Sequence, residues 1–451
     1  MGYSSSYFFF PAAEPLNPIY PDYTVRWAEY FGRANAAEFD RRRWLYFTGE
    51  TFDMFYPGFG DSWPSLVGAI GMTYEQAGSG GAGLVVRRPD GTELTLADRA
   101  TRHRVAGLAT LRAASARKTE LLTEFAGFHR TQGIDQADIL LVPGPDPSVV
   151  RDLVGSLQTQ GVRVEQATRP FRTAARPHPG FEERGEFPIG TIRVPSRQPR
   201  GRLAVTLLQP ETLLGEDVTA TYDITAWSLP YAYGVEAHSA GQLDDGGFEA
   251  VPVLRVPLDS VPPTPGYGWL VLPSFRAAGP VARYVEGGGR AFALRQGFEQ
   301  DGVSWPPGTI FLPGDEGATQ GVAAAGLAGL AHAVRSGTTS RGRDLGTGSS
   351  ITLQPSRVAV LMGSGFSAVS AGSIWYLLEA VAGIPFDALD AARTSRGELV
   401  DYDVVVVPSG NPQRAGLALE TGLKEWVAQG GTLITLGSSA RWAAKSLVEI
   451  G

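Results

Sequence analysis

The 451-residue sequence contains no cysteine. This absence excludes disulfide bonds, thiolate metal sites, iron–sulfur clusters and cysteine nucleophiles. The sequence also has no run of 18 apolar residues, so no membrane-spanning helix is predicted. Acidic residues outnumber basic ones, 46 to 39, and give a net charge of −7. A nucleic-acid binder usually carries a basic face, so no nucleic-acid partner is expected.

Histidine is also scarce, and no histidine lies in an HxxE or HExxH pair, the local spacing typical of zinc hydrolases. His103 and His129 fall on a long predicted helix, where we expect partly exposed, structural side chains. Glu236 and His238 share one face of a predicted strand, but such a pair alone is weak evidence for a metal site. The sequence therefore shows no complete set of metal ligands. The five histidines are His103, His129, His178, His238 and His332.

The hydrophobic pattern predicts a mixed α/β chain in three parts, residues 1–133, 134–345 and 346–451. In the first part, a helix over residues 23–44 is interrupted by a glycine, a hairpin turns at Asp90-Gly91, and a long amphipathic helix runs from Thr95 to Phe128. In the second part, ADILLVPGP, a helix over residues 146–160 and VRVEQAT form a βαβ-like unit. Residues 170–313 read as β-rich, with short strands between Pro/Gly turns.

The last hundred residues alternate strands rich in valine, isoleucine and leucine with helices, a pattern typical of a parallel sheet covered on both faces. The turn at Gly437-Ser438-Ser439 suits a nucleophile between strand and helix. However, no histidine follows His332, so a Ser–His pair cannot form within this part. Gly363-Ser364-Gly365 lacks the lysine of a phosphate-binding loop. We therefore expect a structural or interaction-bearing domain here.

Two residues of the first part are candidates for chemistry. Glu75 ends a predicted strand just before a glycine-rich loop, the position at which α/β enzymes often keep catalytic groups, although a surface glutamate is the simpler interpretation. Tyr56 lies in the aromatic loop FDMFYPGFGDSWP. That loop is either an ordered surface loop packed by its own rings or a mobile carrier of the Tyr56 hydroxyl, and the pattern alone does not decide.

The stretches MGYSSSYFFFP, YFTGETFDMFYPGFGDSWP and GAIGMTYEQAG resemble the second half of the catalytic domain of zinc carboxypeptidases, the carboxypeptidase A-like family, in its large bacterial multidomain branch. The resemblance implies that Glu75 is the catalytic glutamate and that Tyr56 folds over the C-terminal carboxylate of a peptide substrate. It also implies a zinc ion, which would lower the pKa of its bound water from about 15.7 toward ~7 so that Glu75 can take the proton.

The resemblance extends to the rest of the chain. FPIGTIRVPSRQPRGRLAVTLLQPET and YDITAWSLPYAYGVE resemble a β-rich extension of the same branch. Residues 346–451 are similar to class I glutamine amidotransferase-like, flavodoxin-like domains, with Gly437 or Ser438 at the position of the nucleophilic cysteine. The implied fold is a partial zinc-carboxypeptidase mixed sheet, a β-rich middle region and a C-terminal flavodoxin-like parallel α/β domain.

The departures from the family are equally informative. The HxxE pair, the third histidine and the carboxylate-binding arginine of the family are absent. In this branch the third histidine directly precedes a stretch like MGYSSSYFFF, so we expect Met1 to be an internal methionine of a longer, exported protein. The chain alone is then expected to be inactive although it carries Glu75. The alternative is a non-catalytic peptide- or glycan-binding or assembly protein derived from the same fold.

Overall fold

The computed structural model describes residues 6–447, except 77–82, 132, 145–146, 215–217, 219–220, 223, 242, 244–245, 252–263, 393 and 395. The chain is a mixed α/β protein with several separate sheets, and the largest parallel one has four strands. It divides into two compact units, Met1–Arg255 and Val256–Gly451. The domain limits 133/134 and 345/346 fall inside these units and stay predictions. Within the described residues, no helix is long and apolar enough to cross a membrane.

The first 130 residues combine long helices with very short strands. β1 pairs with β3 and β2 with β4, both in parallel, and β5 pairs with β6 as the expected hairpin around Gly91. The strands are β1 (Tyr7–Phe8), β2 (Ala13–Leu16), β3 (Tyr46–Phe47), β4 (Asp53–Met54), β5 (Val85–Arg87) and β6 (Glu93–Thr95). The helices are α1 (Tyr23–Arg42), α2 (Ser62–Leu66), α3 (Leu96–Ala116) and α4 (Lys118–Arg130).

The helices of this region differ from expectation in two places. α1 runs through Gly32 without interruption. A Cβ at this position would lie 2.2 Å from the carbonyl oxygen of Phe10, so only glycine allows the two segments to pack this closely. The glycine therefore permits close packing and does not break the helix. The long helix begins at Thr95 as predicted, with a capping box between Thr95 and Asp98, but it is broken at Arg117 into α3 and α4.

Residues 138–250 form a six-stranded antiparallel ladder in the order β10-β13-β7-β12-β8-β14. β7, α5 and β8 form the predicted βαβ-like unit. β7 and β8 are both antiparallel to β12, which lies between them, so they run parallel to each other. The elements are β7 (Asp138–Val142), α5 (Pro147–Thr159), β8 (Glu165–Ala167), β9 (Phe171–Arg172), β10 (Ala175–Pro177), β11 (Glu186–Phe187), β12 (Ile192–Val194), α6 (Gly201–Leu208), α7 (Leu229–Tyr233), β13 (Glu236–Ala240) and β14 (Phe248–Ala250).

Residues 170–313 contain helices as well as the short strands expected from the sequence. α6 is a buried helix formed by GRLAVTLL, a short apolar run whose periodicity does not separate a helix from a strand. A second helix in this range, α8 (Phe275–Glu286), contains Pro280, a residue that does not predict a helix interior. The Ser274 side chain caps this helix by accepting a hydrogen bond from the backbone N–H of Ala277. In both cases the burial of the segment in the folded chain favours the helix, which the local sequence pattern does not predict.

The second unit begins with a five-stranded antiparallel ladder in the order β20-β15-β19-β16-β21. α8 and α9 pack on one of its faces through a core that includes Trp269 and Val322. The elements are β15 (Gly268–Val271), α8 (Phe275–Glu286), β16 (Phe292–Ala293), β17 (Phe298–Gln300), β18 (Val303–Trp305), β19 (Ile310–Pro313), α9 (Ala318–Ala324), β20 (Ala331–Val334) and β21 (Ile351–Thr352).

The chain closes with a four-stranded sheet whose neighbouring strands are all parallel, in the order β23-β22-β24-β25. The expected parallel α/β arrangement is therefore present. A π-helix, Tyr376–Ala382, continues α10, and a 3-10 turn, Pro412–Ala415, precedes α12. The remaining elements are β22 (Val358–Met362), α10 (Ala368–Trp375), β23 (Asp387–Asp390), α11 (Arg396–Leu399), β24 (Val404–Val407), α12 (Leu417–Ala428), β25 (Thr432–Thr435) and α13 (Ser438–Ser446).

Candidate functional site

Glu75 lies in an extended segment beside β1. Its backbone N–H donates to the carbonyl oxygen of Phe8 at 3.0 Å, and the Phe8 N–H donates to the carbonyl of Glu75 at 2.8 Å. The Glu75 side chain is partly exposed, whereas Phe8 is fully buried. A buried strand thus fixes the backbone of a carboxylate that solvent can reach, as a general base requires.

Helix α3 supports this segment from one side. Successive side chains alternate along an extended chain, so Tyr74 and Gln76 share the face opposite Glu75. The Tyr74 hydroxyl is hydrogen-bonded to Thr110 of α3, and Arg102 of α3 donates to the Gln76 side-chain oxygen at 3.1 Å. The segment that carries Glu75 is therefore held by side chains from the helix that follows it.

His103, also on α3, makes a third contact to this region. The Tyr7 hydroxyl lies 2.7 Å from Nδ1 of His103, which is otherwise exposed as expected. Burial, followed by the neighbouring Tyr74 and Glu75, raises the pKa of Tyr7 above its usual range, so Tyr7 keeps its proton. Desolvation lowers the pKa of His103, and the charge of Glu75 opposes that shift. Sequence reasoning missed this pair because its members lie 96 residues apart.

Tyr56 belongs to a group of packed rings. Its ring lies 5.1 Å from that of Phe59 and 5.7 Å from that of Trp227, both approximately edge-on. A Cβ at Gly58 would lie 2.6 Å from the Tyr56 ring, so the glycine lets this ring lie against its own loop. No hydrogen bond joins the half-buried Tyr56 hydroxyl to another described residue. The Tyr56 ring thus packs against a ring of its own loop and against Trp227, and the role of its hydroxyl stays a prediction.

The rings form a connected series, which we call the aromatic array. Neighbouring ring centroids lie 4.6–6.1 Å apart, from Phe8 to Phe52, on to Tyr222 and Phe59, and finally to Tyr56 and Trp227. The array consists of Phe52, Phe55, Tyr56, Phe59, Tyr222 and Trp227, and Phe8 joins it to the backbone of Glu75. Two segments more than 150 residues apart in sequence thus meet at one surface.

Asp53 is hydrogen-bonded to both segments of the array, and Trp227 is bonded separately to Thr206. One carboxylate oxygen of the buried Asp53 accepts from the backbone N–H of Phe55 at 3.0 Å, and the other accepts from that of Tyr222 at 2.6 Å. The Trp227 indole N–H donates to the carbonyl of Thr206 at 3.1 Å. These bonds order the rings before any ligand arrives. Sequence reasoning missed Tyr222 and Trp227, for which the run of aromatic residues in the loop gives no signal.

The two candidates from the sequence do not contact each other. Among the described residues, no hydrogen bond, ion pair or ring contact joins Tyr56 to Glu75. Their connection runs through the array and Phe8. The roles of Glu75 and Tyr56 remain predictions.

The described residues do not fit a zinc ion. They contain no group of three or more histidine, aspartate or glutamate side chains placed to hold a metal. Glu236 accepts from His238 at 2.8 Å, but both of its oxygens also accept from Arg184, at 2.8 and 3.0 Å. The pair considered from sequence is therefore part of an ion-pair network.

The C-terminal turn has the backbone of a strand–turn–helix corner, with Gly437 and Ser438 at the corner. Gly437 adopts φ 54° and ψ −125° between β25 and α13. A Cβ there would lie 2.6 Å from the Ser409 hydroxyl, so no larger side chain fits unless Ser409 moves. The Ser438 hydroxyl lies 3.1 Å from that of Ser409 and donates to the carbonyl of Gly410 at 2.6 Å. Serine hydroxyls that bond to one another and to the backbone thus occupy this corner.

Comparison with protein-family models, with curated proteins and with solved structures finds no match to this chain.

Proposed function

We propose that this chain supplies the general base, Glu75, of a zinc-dependent carboxypeptidase that removes C-terminal residues from peptides. The observation that carries the proposal is the placement of TYEQ, residues 73–76. Its glutamate is partly exposed at the end of an extended segment, bonded to the buried Phe8 and supported by α3. The resemblance of this stretch to the family's catalytic strand supplies the reaction class.

Tyr56 is proposed to contact the C-terminal end of the peptide. Its hydroxyl has no hydrogen-bond partner among the described residues, and it can donate one to a carboxylate. Because the described residues do not fit zinc, the metal ligands of the proposed enzyme would come from outside the described residues.

Glu75 alone does not replace a metal. A positioned general base accelerates a reaction by about 10²–10⁴-fold. Zinc lowers the pKa of its bound water by about 8 units, and each unit is a tenfold change in acidity, so the effect of the metal is far larger. We therefore expect the 451-residue chain by itself to show no carboxypeptidase activity.

The test begins with the genomic DNA upstream of the Met1 codon. We expect the reading frame to continue through a histidine close to Met1 and an HxxE pair further upstream. The longer protein should then release C-terminal residues in a zinc-dependent manner, and Glu75→Gln should abolish turnover. An upstream sequence without these ligands, or metal-dependent turnover by the 451-residue chain, would contradict the proposal.

A second candidate function is supported by the aromatic array. Ordered, partly exposed rings suit a non-catalytic protein that holds a peptide or a glycan, and such a protein needs no metal ligands. Binding without turnover in the longest expressed form of the protein would favour this function.

For residues 346–451 we propose a non-catalytic flavodoxin-like, glutamine amidotransferase-like domain. The parallel strand order β23-β22-β24-β25 corresponds to 2-1-3-4 of the flavodoxin order. By the resemblance, Gly437 or Ser438 occupies the position of the nucleophilic cysteine, and a Cβ at Gly437 would lie 2.6 Å from the Ser409 hydroxyl. A glutaminase assay of the chain checks this proposal, which predicts no activity.

A further inference from the structure

A cavity of about 380 Å³ lies in the second unit, between the C-terminal end of α8 and helix α9. Glycine residues 287–289, which follow α8, form one part of its wall. Small residues of α9 form another part, and their spacing of three or four positions places them on one face of the helix. The cavity therefore follows α9 along a wall of glycine and alanine, which leaves room for an extended chain.

Tyr284, in the last turn of α8, lines this cavity and is only 5% exposed. Its hydroxyl makes no hydrogen bond to another described residue, and it lies close enough to Asp315 and Arg290 for their charges to act on it. Burial, followed by the charge of Asp315, raises the pKa of Tyr284, so the hydroxyl keeps its proton and can donate. An acceptor on a ligand would give this hydroxyl the partner that the described part of the chain does not supply.

Two charges of opposite sign line the cavity without an ionic partner. Both carboxylate oxygens of Asp315 accept from Arg290, each at 2.7 Å, so this pair is neutral overall. The neighbouring Glu316 is exposed and forms no ion pair or hydrogen bond with another described residue. Arg283 donates to two backbone carbonyl oxygens, both at 3.2 Å, and to no carboxylate among the described residues. The cavity thus offers a ligand one carboxylate and one guanidinium.

These two charges lie at opposite ends of α9. Glu316 precedes the first helical residue by two positions, whereas the Arg283 guanidinium is bonded to the carbonyl of Ala325, directly after the last one. The helix has 7 residues, so its ends are about 10 Å apart at about 1.5 Å per residue. An extended tripeptide spans about the same length, at roughly 3.3–3.6 Å per residue. Its ammonium and carboxylate ends can therefore meet the two charges together.

The lining of the cavity disfavours other classes of ligand. Its two carboxylates repel an anion such as phosphate, and its two guanidinium groups repel a cation. A Cβ at Gly289 or Gly321 would lie 2.4 or 3.0 Å from the Tyr284 ring, so the backbone of both glycines packs against that ring. A ring covered in this way has no open face on which a sugar or a nucleobase can stack.

We propose that this cavity binds a short zwitterionic peptide of about three residues, with its ammonium group at Glu316, its terminal carboxylate at Arg283 and a peptide carbonyl that accepts from Tyr284. Because the wall along α9 is glycine and alanine, the site recognises the two ends of the peptide and their separation more than its side chains. The proposal does not rest on the role of Glu75, since all of its residues lie in the second unit.

Calorimetric titration of the full chain with trialanine tests the proposal. We expect a dissociation constant below about 1 mM. N-acetyl-trialanine and trialanine amide each lack one terminal charge and should bind at least about tenfold more weakly. Pentaalanine, whose ends are about 7 Å further apart when extended, should also bind about tenfold more weakly. The disaccharide maltose should not bind.

Two variants separate the contacts. Glu316→Gln should weaken the binding of trialanine by about tenfold and leave that of N-acetyl-trialanine unchanged, since the blocked peptide has no ammonium group. Tyr284→Phe keeps the buried ring and should weaken the binding of both peptides by about fivefold. The controls are Glu299→Gln, whose side chain is 45% exposed and paired with Arg341 outside the cavity, and Tyr267→Phe, whose ring stacks on Phe311. Both controls should change the affinity by less than about twofold, and thermal melting identifies any variant that fails to fold.

Four results would overturn the inference. They are equal affinity for trialanine and its blocked forms, binding of maltose in place of the peptide, no binding of trialanine at millimolar concentration, and unchanged affinity in folded Glu316→Gln or Tyr284→Phe. Failure of the proposed function is distinguishable from these results, because Glu75→Gln should bind trialanine as the wild type does.

Discussion

The buried histidine His178 should make the stability of the first unit depend on pH. Its side chain is 1% exposed, and Nε2 lies 3.1 Å from the Ser239 hydroxyl, while Nδ1 has no hydrogen-bond partner among the described residues. Burial, with smaller effects from the nearby His238 and Arg176, lowers the pKa of His178 from 6.5 to about 4. The folded protein therefore keeps this ring neutral at pH values where the unfolded chain protonates it.

The direction and the size of this pH dependence of the unfolding free energy follow from proton linkage. Between pH 6.5 and 4 the unfolded state binds a proton that the folded state does not, so the free energy of unfolding falls as the pH falls through this window. A difference of 2.5 pKa units corresponds to about 3 kcal/mol in full, of which about 2 kcal/mol is lost between pH 7.5 and pH 5.

The assay compares the wild type with His178→Gln by urea denaturation at both pH values. From pH 7.5 to pH 5, the unfolding free energy of the wild type should fall by about 2 kcal/mol relative to that of His178→Gln, since the variant lacks the titrating group. His129→Gln is the control, because that ring lies at the end of α4 against Phe125 and Phe128. NMR titration of the five histidine rings gives the pKa directly, with His178 assigned by its absence in the variant. A His178 pKa at or above 6.5 would refute the reasoning.

Three further predictions concern stability. Arg193→Leu should lower the free energy of unfolding by about 3–5 kcal/mol, because Asp138, 1% exposed, then keeps a buried charge without the guanidinium 2.9 Å away; a loss below about 1 kcal/mol in chemical denaturation would contradict this. Gly32→Ala should cost about 1–3 kcal/mol, since the new methyl group would meet the Phe10 carbonyl, and an unchanged melting temperature would show that α1 moves away freely. Thr95→Ala should cost about 1 kcal/mol by removing the cap of α3, whereas Thr95→Ser should restore most of it, as thermal melting can measure.

Local patterns were informative wherever a few neighbouring residues decide the structure. The cap at Thr95, the hairpin at Gly91 and the parallel sheet near the C-terminus follow from side-chain chemistry and hydrophobic spacing within a short window. The same reasoning failed for α6 and α8. An eight-residue apolar run and a proline-containing helix give ambiguous periodicity, and packing against the rest of the unit selects the helix.

The residues of the candidate site likewise fall into those that the sequence pointed to and those that only the tertiary structure brought together. Sequence alone identified Glu75, the aromatic loop around Tyr56 and the absence of cysteine and of paired histidines, because these are properties of residue type and near spacing. Only the tertiary structure joined that loop to Tyr222 and Trp227 and placed His103 against Tyr7. Such contacts link residues more than 90 positions apart, and their energy depends on the burial and geometry of the folded chain, which no local pattern encodes.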